Sequence, residues 1–322
     1  MSTPTGAETY TGQVTAAGVE NVIDKTLTAE QKRDRFWRTV FMACGLVSLV
    51  VMGLIVLFLM REGMLLFSSV NVFDFLFGHL WYPTDDDAVF GILPLIAGSV
   101  AVTVVSSAVA VPLGVATALY LAEVAGSRTR EIIKPVVELL ASLPSVVLGF
   151  VGMVVLAPSL QQWLDVPTGL NIMTASLMLA LMAIPTITSI SEDALHAVPR
   201  DHLEGSLALG ATRFETMIKV LVPGAMSGIG TAVILGMSRA MGETMVVLMV
   251  AGGAAQIPTS IWDSVRPLPS AIAAEMGEAP VGGEHYYALF AIGIVLFFIT
   301  LGFNLVADYI SHRFQQKGAA TL

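Results

Sequence analysis

Charge is what this chain has least of. Asp, Glu, Lys and Arg make up 13% of its 322 residues, against about 25% in a soluble domain. A surface built mainly for water is therefore excluded. One cysteine, Cys44, excludes an intrachain disulfide and says nothing about redox compartment. No Gly-x-x-x-x-Gly-Lys-Ser/Thr occurs, so the chain has no phosphate-cradling loop for ATP. The histidines, at 79, 196, 202, 285 and 312, have no metal-ligand spacing, and no metal site is assigned. A net charge of −9 is no footprint for nucleic acid. Gly236-Met-Ser238-Arg-Ala240 falls short of Gly-x-Ser-x-Gly, and with no membrane-embedded histidine as base, hydrolysis is discounted. Residues 1–24 are polar, without the basic and apolar regions of a signal peptide.

Long apolar runs fill the space that charge leaves. Hydrophobic residues are 55% of the chain. Gly91–Ala122 carries no charge, and Trp37–Met60 carries only Arg38 at its start. A bilayer core takes about 20 apolar residues to cross. Six spans are expected, at 37–60, 91–122, 135–158, 171–191, 226–252 and 287–310, giving an all-α polytopic membrane protein with six transmembrane helices. The second run exceeds one perpendicular helix, so it tilts or begins at the interface. With the N-terminus inside, Lys25, Lys32, Arg33, Arg35, Arg38, Arg128, Arg130, Lys134, Arg200, Arg213, Lys219, Arg313 and Lys317 all fall on the cytoplasmic side. Only Arg61 and Arg266 fall outside, and Arg239 lies within a span. This bias places both termini in the cytoplasm. The outer loops are acidic, with Asp85-Asp86-Asp87, Asp263, Glu275, Glu278 and Glu284. They read as solvated loops or as a dock for a soluble partner. Residues 1–24 read as disordered, and Thr28-Ala-Glu-Gln31 reads as a capping box opening a helix over Leu27–Arg35. The basic residues of that helix either lie on anionic headgroups or simply flank the first span.

One inner loop is long. In Glu192–Pro223, Pro199-Arg-Asp-His202 suggests a turn, and Glu204 to Pro223 reads as two short helices broken near Gly210. Leu203, Leu207, Phe214, Ile218 and Leu221 recur at helical spacing. Glu204, Gly210, Ile218 and Pro223 resemble the coupling-loop signature of ABC importer permeases, with Gly205 and Ser206 in place of two alanines and Val222 in place of leucine. The resemblance implies a type I ABC importer permease fold. It also implies a coupling surface of Glu204, Gly210, Phe214, Ile218 and Pro223, seated on a separate ATPase subunit that binds ATP-Mg. No cofactor is expected in this chain, and no catalysis.

Span five carries Arg239 and Glu243, four residues apart and so able to pair on one helix face. An ionisable group at such depth costs about 2.5–3.5 kcal/mol on insertion scales. Gly224, Gly228, Ala232, Gly236 and Ala240 form a small-residue row on the same helix. At about 100° per residue the row sweeps an arc of about 160° that includes both charges. Small residues admit a neighbouring helix, so the charges face protein or a water-lined path. They read either as a buried ion pair fixing packing or as an anion path, with Arg239 as counter-charge and Glu243 keeping the empty site near neutral. Pro144 and Pro185 fall inside spans three and four, as kinks or as cavity-lining breaks, and Glu138 lies near the inner end of span three.

Ser238-Arg239-Ala-Met-Gly-Glu243-Thr244-Met resembles the phosphate-specific transport (Pst) permease family, in particular its C subunits. Glu138 to Phe150 and Pro185 to Leu195 agree, so the likeness covers about residues 90–312. It implies a phosphate pathway at Arg239, Glu243, Ser238 and Thr244. The partners it implies are a second permease (PstA-like), an ATPase dimer (PstB-like) and a phosphate-binding protein (PstS-like). The expected organisation is an N-terminal segment 1–36, a first transmembrane helix 37–60, an external loop 61–90, a permease core 91–312 with five transmembrane helices and coupling loop 192–225, and a tail 313–322 in a multi-pass cell-membrane protein. Another oxyanion such as molybdate or sulfate is the nearest alternative cargo. An intramembrane enzyme or a stand-alone channel would instead act without an ATPase.

Overall fold

The computed structural model describes residues 16–319 except residue 86, and the side chains of 34–310. The side chains of Lys25, Thr28, Gln31, Lys32, Arg33, Asp86, His312, Arg313 and Lys317 lie outside this description. The chain divides into two compact units, residues 1–58 and 59–322.

Helix α1 runs Ala16–Leu65. It already includes residues 16–24, so the disorder expected there is corrected, while residues 1–15 lie outside the described residues. Thr28 lies inside this helix and opens none. From Phe36 to Phe58, α1 exposes apolar side chains such as Phe41, Leu46, Leu54 and Leu57, as a lipid-crossing helix does.

In the second unit, α2 (Val72–Phe77) and a two-stranded antiparallel hairpin, β1 (Trp81–Tyr82) with β2 (Val89–Phe90), precede α3 (Leu93–Leu119). A π-helical segment, Tyr120–Val124, ends that span. The next two helices correct the expected span three. α4 (Ser127–Ser142) stops, and α5 (Ser145–Val151) starts after Pro144. Leu143 and Pro144 are extended, with ψ of 132° and 133°. Proline disfavours helical backbone at the residue before it and offers no N–H, which explains the break. Through a π-helical turn, α5 joins α6 (Ala157–Leu164), and the apolar span is Ser145–Leu164. Glu138 and Pro144 therefore lie outside it.

α7 (Ile172–His196) is the most enclosed span and packs most extensively on α3. Thr188 donates to Gly114 O at 3.1 Å and Ser176 to Val102 O at 3.2 Å, tying the two helices by side-chain hydrogen bonds that water does not contest. α8 (Arg200–Ala208), α9 (Arg213–Thr216) and α10 (Val222–Gly224) form the long loop after α7. Gly210, at φ +89°, makes the turn between the first two. α11 (Met226–Met241) bends by 69° from the helix before it. α12 (Met245–Val250), α13 (Leu268–Glu275) and α14 (Glu284–Ala319) complete the chain. Among the described residues, five helices are long and apolar enough to cross a membrane, and six if the bent pair 213–241 counts as one span.

The small-residue row is the seam between α11 and α7. A Cβ on Gly236 would stand 2.7 Å from Ile187 Cγ1, and one on Gly228 would collide with Ala194 Cβ. Ala232 is fully buried and Ala240 nearly so. Gly228→Leu should therefore destabilise the fold by about 1–3 kcal/mol, as overpacking does, and lower the thermal unfolding midpoint of the purified protein. Gly45, where a Cβ would meet nothing within 4 Å, should accept the same change without a shift. An unchanged midpoint for Gly228→Leu would mean the two helices are not in close contact.

Candidate functional site

Span five is where the sequence expectation and the structure part. The expected helix 226–252 is broken, because α11 ends at Met241 and α12 begins at Met245. Glu243 sits in the break, so the four-residue spacing no longer stacks it on Arg239 and no ion pair joins them. The Glu243 carboxylate instead accepts from the backbone N–H of Met245 at 3.2 Å and of Val246 at 3.5 Å, covering the start of α12. This satisfies donors that a helix start leaves open. Thr244 donates its hydroxyl to Gly242 O at 3.5 Å.

Arg239 is exposed and reaches from α11 to α7, where Nη1 donates to Thr186 Oγ1 at 3.3 Å. A guanidinium carries five N–H donors, so this contact leaves most of them open. Ser238, beside it, is half-buried. The structure thus brings Arg239, Glu243, Ser238 and Thr244 to one helix break without pairing the charges. Thr186 is the member that sequence reasoning missed. Its only signal was its place beside Pro185, in the stretch Pro185 to Leu195.

The break in span five lies beside the start of span three. A Cβ on Gly149 would be 3.3 Å from Val246 Cα, and one on Gly152 would be 2.9 Å from Val250 Cγ1. Numbers rise together along both helices, so α5 and α12 run parallel with their N-terminal ends on the same side. Helix N-termini carry partial positive charge, and Gly149 of α5 packs against Met245 and Val246 at the start of α12.

The loop of α8, α9 and α10 displays apolar side chains at its surface. Leu209 is 91% exposed and Phe214 68% exposed, and Ile218 and Leu207 are also exposed. Leu203 is half-buried and Leu221 buried, so these two hold the loop while the others project. Thr212 and Glu215 form a reciprocal capping box at the start of α9, and Ser206 Oγ lies 3.0 Å from Thr216 Oγ1, joining α8 to the second helix. Glu204, Gly210 and Pro223 are exposed. A cavity of about 540 Å³ opens between Leu203, Leu207, Phe214 and Glu123.

The structure corrects the reading of Glu275 as a solvated loop residue. Its carboxylate accepts from Trp81 Nε1 at 3.1 Å and from Arg266 Nη1 at 2.5 Å, and lies 2.9 Å from His285 Nε2. Arg266 also donates Nε to Gly253 O at 2.7 Å. The hub pins the hairpin strand, α13, the start of α14 and the segment after α12 to one another. Asp263 accepts from Thr259 N, Ser260 N and the Thr259 hydroxyl, at 2.7, 2.8 and 3.0 Å. Among the described residues no cluster of three or more His, Cys, Asp or Glu side chains could hold a metal.

Residues 110–316 match the family described as binding-protein-dependent transport system inner membrane component. The chain belongs to that family of ABC transporter permeases. The permease is 40% identical over 278 residues to a probable ABC transporter permease, YqgH, of Bacillus subtilis, covering 86% of this chain and 90% of the relative. It is 32% identical to the phosphate transport system permease protein PstC of Mesorhizobium japonicum, covering 92% and 95%. Its fold is that of type I importer permeases. A bacterial ABC transporter involved in import of the acidic polysaccharide alginate superposes with TM-score 0.57 at 15% identity, over 89% of this chain and 99% of that one. The MetNI methionine transporter superposes with TM-score 0.52 at 21% identity, over 70% and 94%. The permease is a multi-pass membrane protein.

Three donors hold the Asp263 carboxyl below its usual 3.8, with the Thr259 backbone N–H the largest cause and the Ser260 N–H next. A depressed carboxylate stabilises the fold above its unfolded pKa, and that contribution is lost as pH falls through the folded value. Hydrogen-exchange protection of the Thr259 and Ser260 amides should therefore hold at neutral pH and fall below pH 3.8. Asp263→Ala should lose it at neutral pH. Equal protection in the variant would contradict the cap.

Proposed function

We propose that this permease carries inorganic phosphate inward as one half of the membrane pathway of an ATP-driven importer. The carrying observation is Arg239. Its guanidinium is exposed within a membrane span, bonded to one hydroxyl and paired with no carboxylate among the described residues. A structural ion pair would have consumed it. An unpaired guanidinium in such a place needs an anion or a water path to face, and its planar fork suits the oxygens of a phosphate. Glu243, held on backbone donors 3.2 and 3.5 Å away, keeps the empty site near neutral and weak enough to release its cargo.

The chain's other surfaces suit the rest of such an importer. The exposed Leu209, Phe214 and Ile218 are covered by a separate ATPase dimer that binds ATP-Mg, and its closure moves the spans as rigid bodies. Glu204, Gly210 and Pro223 shape that contact. A second, homologous permease completes the pathway, and a soluble phosphate-binding protein delivers at the outer face. Both termini are cytoplasmic, and the chain itself is not catalytic. The phosphate cargo is supported by the relatives named as phosphate permeases.

Arg239→Gln should reduce uptake of labelled phosphate by the assembled complex by at least tenfold, the loss expected when an anion forfeits about 1.4 kcal/mol or more of charge stabilisation. Competition by unlabelled molybdate or sulfate should leave phosphate uptake intact. Wild-type uptake by Arg239→Gln would remove Arg239 from the path, and uptake blocked equally by sulfate would assign a broader oxyanion cargo.

A further inference from the structure

Span four has a polar stripe that the pathway described above does not yet use. At about 100° per residue, Thr186, Ser189, Asp193 and His196 of α7 fall within an arc of about 80°. Thr186 and Ile190 are half-buried, while Ser189, Asp193, His196 and Ala197 are exposed, on a helix that is otherwise the most enclosed of the spans. The exposed positions of the neighbouring α3 are all apolar, among them Val104 and Leu113, and α14 exposes Phe298 and Leu305, with Asn304 and Asp308 exposed only towards its end. Lipid-facing surface has that composition, and the α7 stripe does not.

Several threonine hydroxyls of the spans are tied to their own helix. Thr103, Thr117, Thr231 and Thr300 each donate to a carbonyl of their own helix, which shelters a hydroxyl in hydrocarbon. Thr186 and Ser189 make no such bond among the described residues. Thr186 accepts from Arg239, and the Ser189 hydroxyl is left to solvent. Asp193 makes no ion pair among the described residues. The stripe starts at the Arg239 contact and descends about 15 Å along the helix. It ends at His196, in the wall of a cavity of about 310 Å³ shared with Arg200 and Glu204 of the inner loop.

We infer that this stripe is the inner wall of the anion's path. It rests on the anion-path reading of Arg239 and extends it from a point to a track. The anion leaves the guanidinium, exchanges Thr186 and Ser189 hydroxyl contacts for water, and emerges beside the coupling helix. Asp193, which makes no ion pair among the described residues, repels the anion at the exit and keeps its binding there weak.

Cysteine accessibility in the assembled complex tests this. In a Cys44→Ala background, Ser189→Cys and Asp193→Cys are treated from the cytoplasmic side with a membrane-impermeant methanethiosulfonate, and modification of this chain is read by mass spectrometry. A thiol reacts as its thiolate, which needs water. Both positions should therefore react about tenfold or more faster than Val104→Cys, an exposed apolar control, and modification of Ser189→Cys should block phosphate uptake. Reaction of both cysteines no faster than Val104→Cys would overturn the inference, since a dry protein interface or lipid would then cover the stripe. Full uptake after modification of Ser189→Cys would overturn it equally. Loss of uptake in Arg239→Gln alongside unreactive stripe cysteines would sink the track alone. Normal uptake in Arg239→Gln would sink the reading beneath it.

Discussion

A guanidinium cannot be left in hydrocarbon, and the arrangement of the spans around Arg239 answers that constraint. The nearest carboxylate in sequence does not neutralise it, because a helix break turns Glu243 onto the backbone donors of α12. Its contact is instead a hydroxyl on α7. That contact is possible only because the small residues of α11 let the two helices come together, with Gly236 against Ile187, one residue beyond Thr186. Close packing and the exposed charge are thus two consequences of one seam.

The breaks at Pro144 and at Gly242–Thr244 do related work. Proline at 144 stops α4 and starts a new helix at Ser145, and the segment Gly242–Thr244 stops α11 before Met245. The two new half-helices pack in parallel through Gly149 and Gly152. Irregular backbone at membrane depth is tolerated where it lines a cavity or is buried in protein. Here it lies beside Arg239. At one end, the Glu275 hub fixes the loops that follow α12, and at the other the capping box at Thr212 fixes the loop that precedes α11. Span five is therefore held at both ends and interrupted between them.

Much of this was readable from residues. Hydropathy located spans one, two, four and six because each must be about 20 apolar residues long, and the two short helices of the long loop followed from Leu203 to Leu221 at helical spacing, with Gly210 between them. The row Gly228, Ala232, Gly236 announced a close helix contact. Hydropathy did not disclose the interruptions inside apolar runs, and only Pro144 marked one of them, as a kink or a break. Leu139 to Val151 is uniformly apolar apart from Ser142, Pro144 and Ser145, so hydropathy alone merges α4 with the following span. Likewise Arg239 and Glu243 have ideal pairing spacing only on an unbroken helix, and nothing local distinguishes a helix that continues through Gly242 from one that stops. Glu275 was illegible for a different reason. Its partners, Trp81, Arg266 and His285, come from three separate segments, and only the fold brings them to one carboxylate.

Whether Arg239 faces the cargo or a structural partner decides how the whole pathway is understood. A structure of the assembled importer trapped with phosphate tests it most directly. The anion should lie within hydrogen-bonding distance of the Arg239 guanidinium, with Thr186 alongside. Phosphate bound elsewhere in the membrane, with Arg239 paired to a carboxylate of this chain or of its partner permease, would contradict that role.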